Sequence, residues 1–342
     1  MSLKVAVYKK SYERLKDRLA KAAPNATFLV MDDSKTFYKN GVPCDIREEK
    51  PDVAWINNDL FFCLDDKLPF SFIEPIMETK ALKWLAVGAH GTDHPIYSIF
   101  DQQGTKLTNS DESAIAIPEF VVARVLDVLH PNAERLEAQK RHEWEQFSFR
   151  EIHGMTWVIY GFGHIGEHIA EIVRNGFGAK VIGIRRTKGS HPAADEMMTP
   201  DRLLEAAARA DVFVIAVPGG PATDGTVSAE VINAMKPGSI LVNVGRGSVP
   251  DEEALLKALD KGKPLWAILD VFDYEPLPAD SPIWDHPRVR ATAHCSGHGG
   301  GVLGRGDDIF IENLRRYAVG ETLRNVVKPT GVVKPYTHER TH

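Results

Sequence analysis

Cysteine is scarce. Cys44, Cys63 and Cys295 are the only three in 342 residues. An odd number at these spacings fits neither a disulfide framework nor a metal motif, so a reduced, cytoplasmic setting is the simplest expectation. Long apolar runs are missing too: none reaches the about 20 residues that span a bilayer. The N-terminus reads as a first strand rather than a signal peptide. Positive charge is not in excess. A net charge of −6 leaves no basic footprint for nucleic acid and no polybasic surface for membranes. Internal repeats and low-complexity segments are absent. What remains is an ordinary globular composition, 43% hydrophobic, and a length that suits about two domains with real cores.

One stretch organises the rest. Residues 155–160 (Met-Thr-Trp-Val-Ile-Tyr) are apolar and rich in β-formers, as a buried parallel strand requires. Gly161-Phe162-Gly163-His164-Ile165-Gly166 follows at once. Residues 165–175 have helical periodicity, with Ile165, Ile169, Ile172 and Val173 on one face, and residues 180–184 form a second short strand. In such a unit Gly161 permits the tight turn, Gly163 lets backbone approach a pyrophosphate, and Gly166 lets helix pack on strand. The free N–H groups and dipole at the helix start favour the phosphates. At the end of the second strand a carboxylate would accept bonds from an NAD ribose. This chain has Arg185-Arg186-Thr187 instead, two guanidiniums and a hydroxyl that suit a 2′-phosphate. NADP(H) is therefore expected over NAD(H), with NAD(H) possible as second cofactor.

The same strand–helix alternation runs both ways from this unit. Before it, residues 3–8, 27–31, 52–57 and 82–87 read as strands, and 12–22 and 74–79 as helices, which predicts a small α/β domain. Residues 110–117 are a candidate linker, and 118–137 read as one long helix. Trp144 and Phe147 stand in a polar neighbourhood, a surface that a second subunit or the same chain would cover. After it come helices at 200–210, 228–235 and 251–260 and strands at 212–217, 239–244, 265–271 and 289–293, giving six strands in all. A glycine run at 297–301 then breaks the pattern, and 307–317 reads as a helix returning to the N-terminal domain. The expected architecture is α/β: two doubly wound parallel-sheet domains, a Rossmann-type cofactor domain (113–296) inserted in a flavodoxin-like substrate domain (1–112 and 297–342), with a hinged cleft between them. The C-terminal residues 337–342 read as a loose tail.

Ligands in such sheets bind beyond the carboxyl ends of the strands. Arg246, Glu275 and His294 fall at or just after three of those ends, and Asp270 at another. Reducing a carbonyl with a hydride needs a proton donor for the developing alkoxide, and His294 suits that task near neutral pH. It needs a neighbour that favours the charged ring and fixes its orientation, for which Glu275 is placed. It also needs a cation for a substrate carboxylate, and the Arg246 fork supplies one. The loop Gly88-Ala89-His90-Gly91-Thr92-Asp93 is a further anion-binding candidate, its N–H groups converging at a strand end. His286, His294, His298 and Cys295 fit no usual metal spacing, so no metal is expected.

These residues carry a resemblance. Tyr160-Gly161-Phe162-Gly163-His164-Ile165-Gly166, Asn243-Val244-Gly245-Arg246-Gly247, residues 269–276 (Leu-Asp-Val-Phe-Asp-Tyr-Glu-Pro) and Ala293-His294-Cys295-Ser296-Gly297 resemble the D-isomer-specific 2-hydroxyacid dehydrogenases, most clearly over 80–327. The resemblance implies catalytic Arg246, Glu275 and His294, and an Asp270 that contacts the nicotinamide amide. It implies a cofactor set completed by Val217, Pro218, Val244, Gly245 and Gly297, and a substrate-carboxylate loop at Ala89, His90 and Gly91. It also implies a homodimer through 118–147. The Arg-Arg-Thr run is similar to that of NADP-using glyoxylate and hydroxypyruvate reductases. Glu275 stands where formate dehydrogenases have Gln, and the absence of a following regulatory domain tells against phosphoglycerate dehydrogenase. Ala293 in place of a common Pro, and His90 in place of a small residue, bear on the substrate rather than the reaction. The expected activity is reduction of a 2-keto acid to a D-2-hydroxy acid. The alternative is a binding module on the same fold that senses a nicotinamide dinucleotide, for which an intact proton donor would be superfluous.

Overall fold

The computed structural model describes residues 2–61, 65, 67–89, 91–92 and 94–329. His90, Asp93, Cys63 and the tail at 337–342 lie outside the described residues. The chain forms two compact units, one running to Ser113 and resuming at Gly300, the other spanning Ala114–Gly299.

In the first unit the strands are β1 (Lys4–Tyr8), β2 (Thr27–Met31), β3 (Phe37–Lys39), β4 (Val42–Cys44), β5 (Val53–Ile56), β6 (Trp84–Val87), β7 (Lys106–Thr108) and β15 (Val326–Val327). Their order is β15-β7-β6-β5-β1-β2-β3-β4. The parallel core β2-β1-β5-β6-β7 has the flavodoxin-like order. Two edges depart from the purely parallel expectation. β3 and β4 form an antiparallel hairpin on β2, turned by Asn40 and Gly41 with φ of 50° and 79°, and β15 pairs antiparallel with β7. The central strands alternate between two buried faces. Ala6, Leu85 and Val87 meet α2 (Ile46–Glu49), α3 (Asn58–Phe61), α4 (Leu68–Glu78) and α5 (Pro95–Gln102) on one side. Val5, Val7, Trp84 and Ala86 meet α1 (Lys9–Ala22) and α12 (Val302–Ala318) on the other. Phe310 of α12 stacks on Trp55 at 4.1 Å between ring centroids. Arg14 of α1 holds the buried Asp307 of α12 through Nε at 3.0 Å and Nη2 at 2.8 Å, and Asp59 through Nη1 at 2.8 Å.

The second unit contains α6 (Ala116–Leu129), α7 (Asn132–Lys140), α8 (His164–Glu171), α9 (Leu203–Arg209), α10 (Ala229–Ala234) and α11 (Glu252–Asp260). Its strands are β8 (Thr156–Tyr160), β9 (Lys180–Ile184), β10 (Glu196–Met198), β11 (Val212–Ile215), β12 (Ile240–Asn243), β13 (Trp266–Leu269) and β14 (Val289–Ala291). All are parallel, in the order β10-β9-β8-β11-β12-β13-β14. This is the doubly wound dinucleotide-binding order, with the direction of winding reversing at β8. The strand β10 is one more than the six read from the sequence. The long helix expected over 118–137 is two helices. His130, before Pro131, adopts an extended conformation (φ −104°, ψ 136°), as the ring of a following proline demands, and α6 stops at Leu129. Helices cover both faces of the sheet, so its strands are continuously apolar. Among the described residues, no helix is long and apolar enough to cross a membrane.

Candidate active site

The carboxyl ends of the second unit's strands are tied to one another by backbone contacts, and the site is built on those ties. Gly161 and Phe162 donate N–H bonds to the Ile184 carbonyl, both at 3.1 Å, which sets the glycine-rich turn beside the end of β9. Gly161 has φ +107°, and a Cβ there would meet the Ala216 carbonyl group. A Cβ on Gly166 would overlap the Gly161 carbonyl oxygen, so this helix can approach its strand only with glycine. Gly163 has open space where its Cβ would be, and the first turn of α8 has no side-chain cap. A pyrophosphate would meet backbone N–H groups there and the positive end of the helix dipole. The residues present therefore fit a dinucleotide. Arg185, Arg186 and Thr187 leave the end of β9 next to this turn. Arg186 and Thr187 are exposed, while Arg185 donates from Nε to the Thr187 carbonyl at 3.3 Å.

The Gly-Arg-Gly turn after β12 is similarly constrained. The buried Asn243 accepts from the Gly245 N–H at 3.0 Å and donates to the Arg246 carbonyl at 2.9 Å. A Cβ on Gly247 would overlap the backbone of Phe272, so glycine is required for the turn to lie on the loop after β13. That loop carries Glu275. Its Oε1 accepts from the Phe272 N–H at 3.0 Å, and its Oε2 pairs with His294 Nδ1 at 2.8 Å. Burial works against ionisation of Glu275, but the His294 hydrogen bond and charge, the Phe272 N–H and the Arg246 charge outweigh it and hold the carboxyl below its ordinary range. The structure thus brings Arg246, Glu275 and His294 together at the ends of β12, β13 and β14. The His294 side chain remains 49% exposed, so its ring can reach a ligand.

Asp270 is placed differently from a simple cofactor ligand. It has no solvent exposure, and its carboxylate accepts from Thr292 Oγ1 at 2.6 Å, Cys295 N–H at 2.9 Å and Ser296 N–H at 2.9 Å. Burial opposes its charge, yet these donors and the Ser296 hydroxyl keep its pKa below the usual carboxylate value. Sequence reasoning did not single out Thr292, Ser296 or Asn243 for these tasks. Asn243 stood two residues before the Gly-Arg-Gly turn. Thr292 gave no local signal, because its partner lies 22 residues earlier. Val217 and Val244 are buried at their strand ends, and a Cβ on Gly245 would press on the Val217 carbonyl oxygen. Pro218 is exposed and Gly297 half-buried in the loops that follow β11 and β14. In the first unit, Ala89 and Gly91 lie in the loop after β6, and the Ala89 carbonyl accepts from Ser110 N–H at 3.2 Å. Among the described residues no cluster of His, Cys, Asp or Glu could hold a metal ion.

Residues 122–296 match the family model for the NAD binding domain of D-isomer specific 2-hydroxyacid dehydrogenases. A glyoxylate/hydroxypyruvate reductase B of Pectobacterium carotovorum is 33% identical over 227 residues, 62% of this chain and 69% of that protein. A D-3-phosphoglycerate dehydrogenase of Methanocaldococcus jannaschii is 29% identical over 272 residues, and the match spans only 52% of its length. Among solved structures, a D-isomer specific 2-hydroxyacid dehydrogenase family protein of Aeromonas salmonicida superposes with a TM-score of 0.76 at 27% identity, covering 96% of this chain and 99% of that one. With its strand order, glycine-rich turn and Arg–Glu–His arrangement in place, the chain belongs to the D-isomer specific 2-hydroxyacid dehydrogenases, a family of NAD(P)-dependent oxidoreductases.

Proposed function

We propose that this protein reduces a short 2-keto acid of the glyoxylate or hydroxypyruvate type to the D-2-hydroxy acid, with NADPH preferred over NADH. The observation that carries the reading is the His294–Glu275 pair at 2.8 Å, with Arg246 on the adjoining turn. The dinucleotide is held by residues 161–166, its 2′-phosphate by Arg185, Arg186 and Thr187, and when bound it supplies a hydride. The chain's own residues do the rest. Arg246 pairs with the substrate carboxylate and polarises the neighbouring carbonyl. His294 gives a proton from Nε2 to the carbonyl oxygen, since Nδ1 is engaged by Glu275. Glu275 fixes the ring and balances its charge.

The test is loss of absorbance at 340 nm with NADPH or NADH against glyoxylate, hydroxypyruvate, pyruvate and bulkier keto acids. Turnover of a short acid, faster with NADPH, is expected. His294→Ala should depress kcat by about 100-fold or more while leaving cofactor binding within a few fold. A His294→Ala enzyme with near-normal turnover refutes the proton path, and equal kcat/KM for the two cofactors refutes the phosphate site. We also propose self-association through residues 118–147. Trp144 there is 95% exposed, and Leu136 in the same region is exposed as well. Light scattering should give a dimer that Trp144→Ala weakens; a monomer at micromolar concentration refutes it.

A further inference from the structure

We propose that Asp270 and Thr292 are positioning residues for His294, fixing segment 292–296 so that the imidazole is presented to Glu275 and to the substrate. The proposal rests on the reading of His294 as proton donor. His294 has φ +50°, the left-handed region, which is uncommon for a residue with a Cβ and here is held by a set of hydrogen bonds. Most of those bonds end on one residue, Asp270. The His294 N–H donates to the Asp270 carbonyl at 2.8 Å. The next two N–H groups, of Cys295 and Ser296, donate to the two different oxygens of the Asp270 carboxylate, each at 2.9 Å. The Thr292 hydroxyl donates to the first of those oxygens at 2.6 Å, and the Thr292 N–H to the Leu269 carbonyl at 2.9 Å. His294 is therefore bracketed: a side-chain bond two residues before it, its own N–H, and the two N–H groups after it all end on Asp270.

The anchor itself does not move with the loop. Asp270 is fully buried, and its N–H is bonded to the Asn243 carbonyl at 3.0 Å. Asn243 is the residue whose side chain shapes the Arg246 turn. The clamp thus refers the position of His294 to the same strand end that places Arg246. A carboxylate suits this task because both of its oxygens only accept, and every group aimed at them donates. An amide at 270 would turn an NH2 group toward an N–H or hydroxyl donor and push the segment away.

The test compares Asp270→Asn, Thr292→Val and Thr292→Ser with wild type and His294→Ala. NADPH is used with the acid turned over fastest among glyoxylate, hydroxypyruvate and pyruvate. The readouts are kcat, NADPH Kd by fluorescence, and the acid limb of kcat/KM. Asp270→Asn should lower kcat about 100-fold, as a misplacement near 1 Å would. Thr292→Val should lower it about 10-fold, the effect of one lost hydrogen bond, and Thr292→Ser should restore it. NADPH Kd should change less than about threefold. The acid limb should move to higher pH, because Glu275 loses the His294 contact that holds its carboxyl low. If Asp270→Asn weakens NADPH binding while kcat at saturation and the limb stay put, Asp270 is a cofactor ligand and the inference is overturned. If Asp270→Asn does not fold, the two Thr292 variants decide. If His294→Ala is dead while kcat and the limb are unmoved in the Asp270 and Thr292 variants, this inference alone fails. If His294→Ala turns over normally, the proton-donor reading falls and this one with it.

Discussion

Glu112→Gln tests how the first unit handles a buried carboxyl. Glu112 lies just before the chain leaves that unit and is only 3% exposed. Asn58 Nδ2 donates to its Oε1 at 3.2 Å, whereas Oε2 is buried with no hydrogen-bond partner among the described residues. Burial pushes its pKa up from the ordinary 4.5 to about 7; the Asn58 bond and the charge of Arg305 pull the other way, and Asp111 adds to the rise. Arg305 spends its Nε on the Glu112 main-chain carbonyl at 2.8 Å rather than on the carboxylate.

The sign follows from proton counting. Between pH 4.5 and about 7 the folded protein holds a proton at Glu112 that the unfolded chain has released. Stability is therefore greatest below the unfolded value and falls as pH rises through the folded one. From pH 5 to pH 8 the loss is about 2–3 kcal/mol. At roughly 2–4 °C per kcal/mol, that is a fall in Tm of about 5–10 °C. Glutamine keeps an acceptor for Asn58 and cannot ionise, so Glu112→Gln should lack this fall. All other titrating groups are common to both proteins and cancel in the comparison. Calorimetry of wild type and variant at pH 5, 6, 7 and 8, at constant ionic strength, should give Tm curves that diverge as pH rises. Parallel curves would refute the reasoning. Glu112→Ala should instead lose stability at every pH, since it removes the side chain from a packed site.

Other consequences are as direct. Arg14→Met leaves the buried Asp307 and its neighbour Asp59 without their guanidinium and should cost about 3–5 kcal/mol in denaturant unfolding; a loss below about 1 kcal/mol would mean that α1 and α12 are held by Phe310 and its neighbours alone. Arg186→Ala should lower kcat/KM for NADPH by about 10-fold or more while leaving that for NADH nearly unchanged; an equal loss with both cofactors would place the residue away from the 2′-phosphate. Gly247→Ala drives a methyl into the Phe272 backbone and should abolish activity, with a lowered Tm or a displaced Glu275 loop in a crystal structure; wild-type turnover would show the turn to be freer than its contacts imply. Glu275→Gln should remove the acid limb of the pH profile, which belongs to a carboxyl held below its ordinary range; an unchanged limb would assign it to another group.

What could be read without coordinates was whatever a few adjacent residues decide by themselves. The turn at 161–166 is legible because an apolar strand, a glycine-rich turn and a periodic helix follow one another directly, and the constraint on Gly166 comes from Gly161 and Ile159 just before it. Arg246, Glu275 and His294 are legible because each falls at or just after the carboxyl end of a strand that the sequence itself indicates. The elements that escaped are those whose reason lies elsewhere in the chain. β10 is Glu-Met-Met, with no β-forming pattern of its own, and exists because β9 offers it a parallel edge. The hairpin of β3 and β4 is three residues a side; its Asn40-Gly41 turn was the available signal, but such short arms carry too little alternation to support it. Pro131 was the available signal for the break between α6 and α7, and was overridden by apolar periodicity on its N-terminal side. The site divides along the same line. A proton donor and its carboxylate partner announce themselves by residue type. The left-handed backbone at His294 and its bonds to Asp270 join residues 22–26 positions apart, and nothing in either segment alone requires the other. Chemistry in this chain is therefore written locally, whereas the positioning of that chemistry depends on register between β13 and β14, which is a property of the folded sheet.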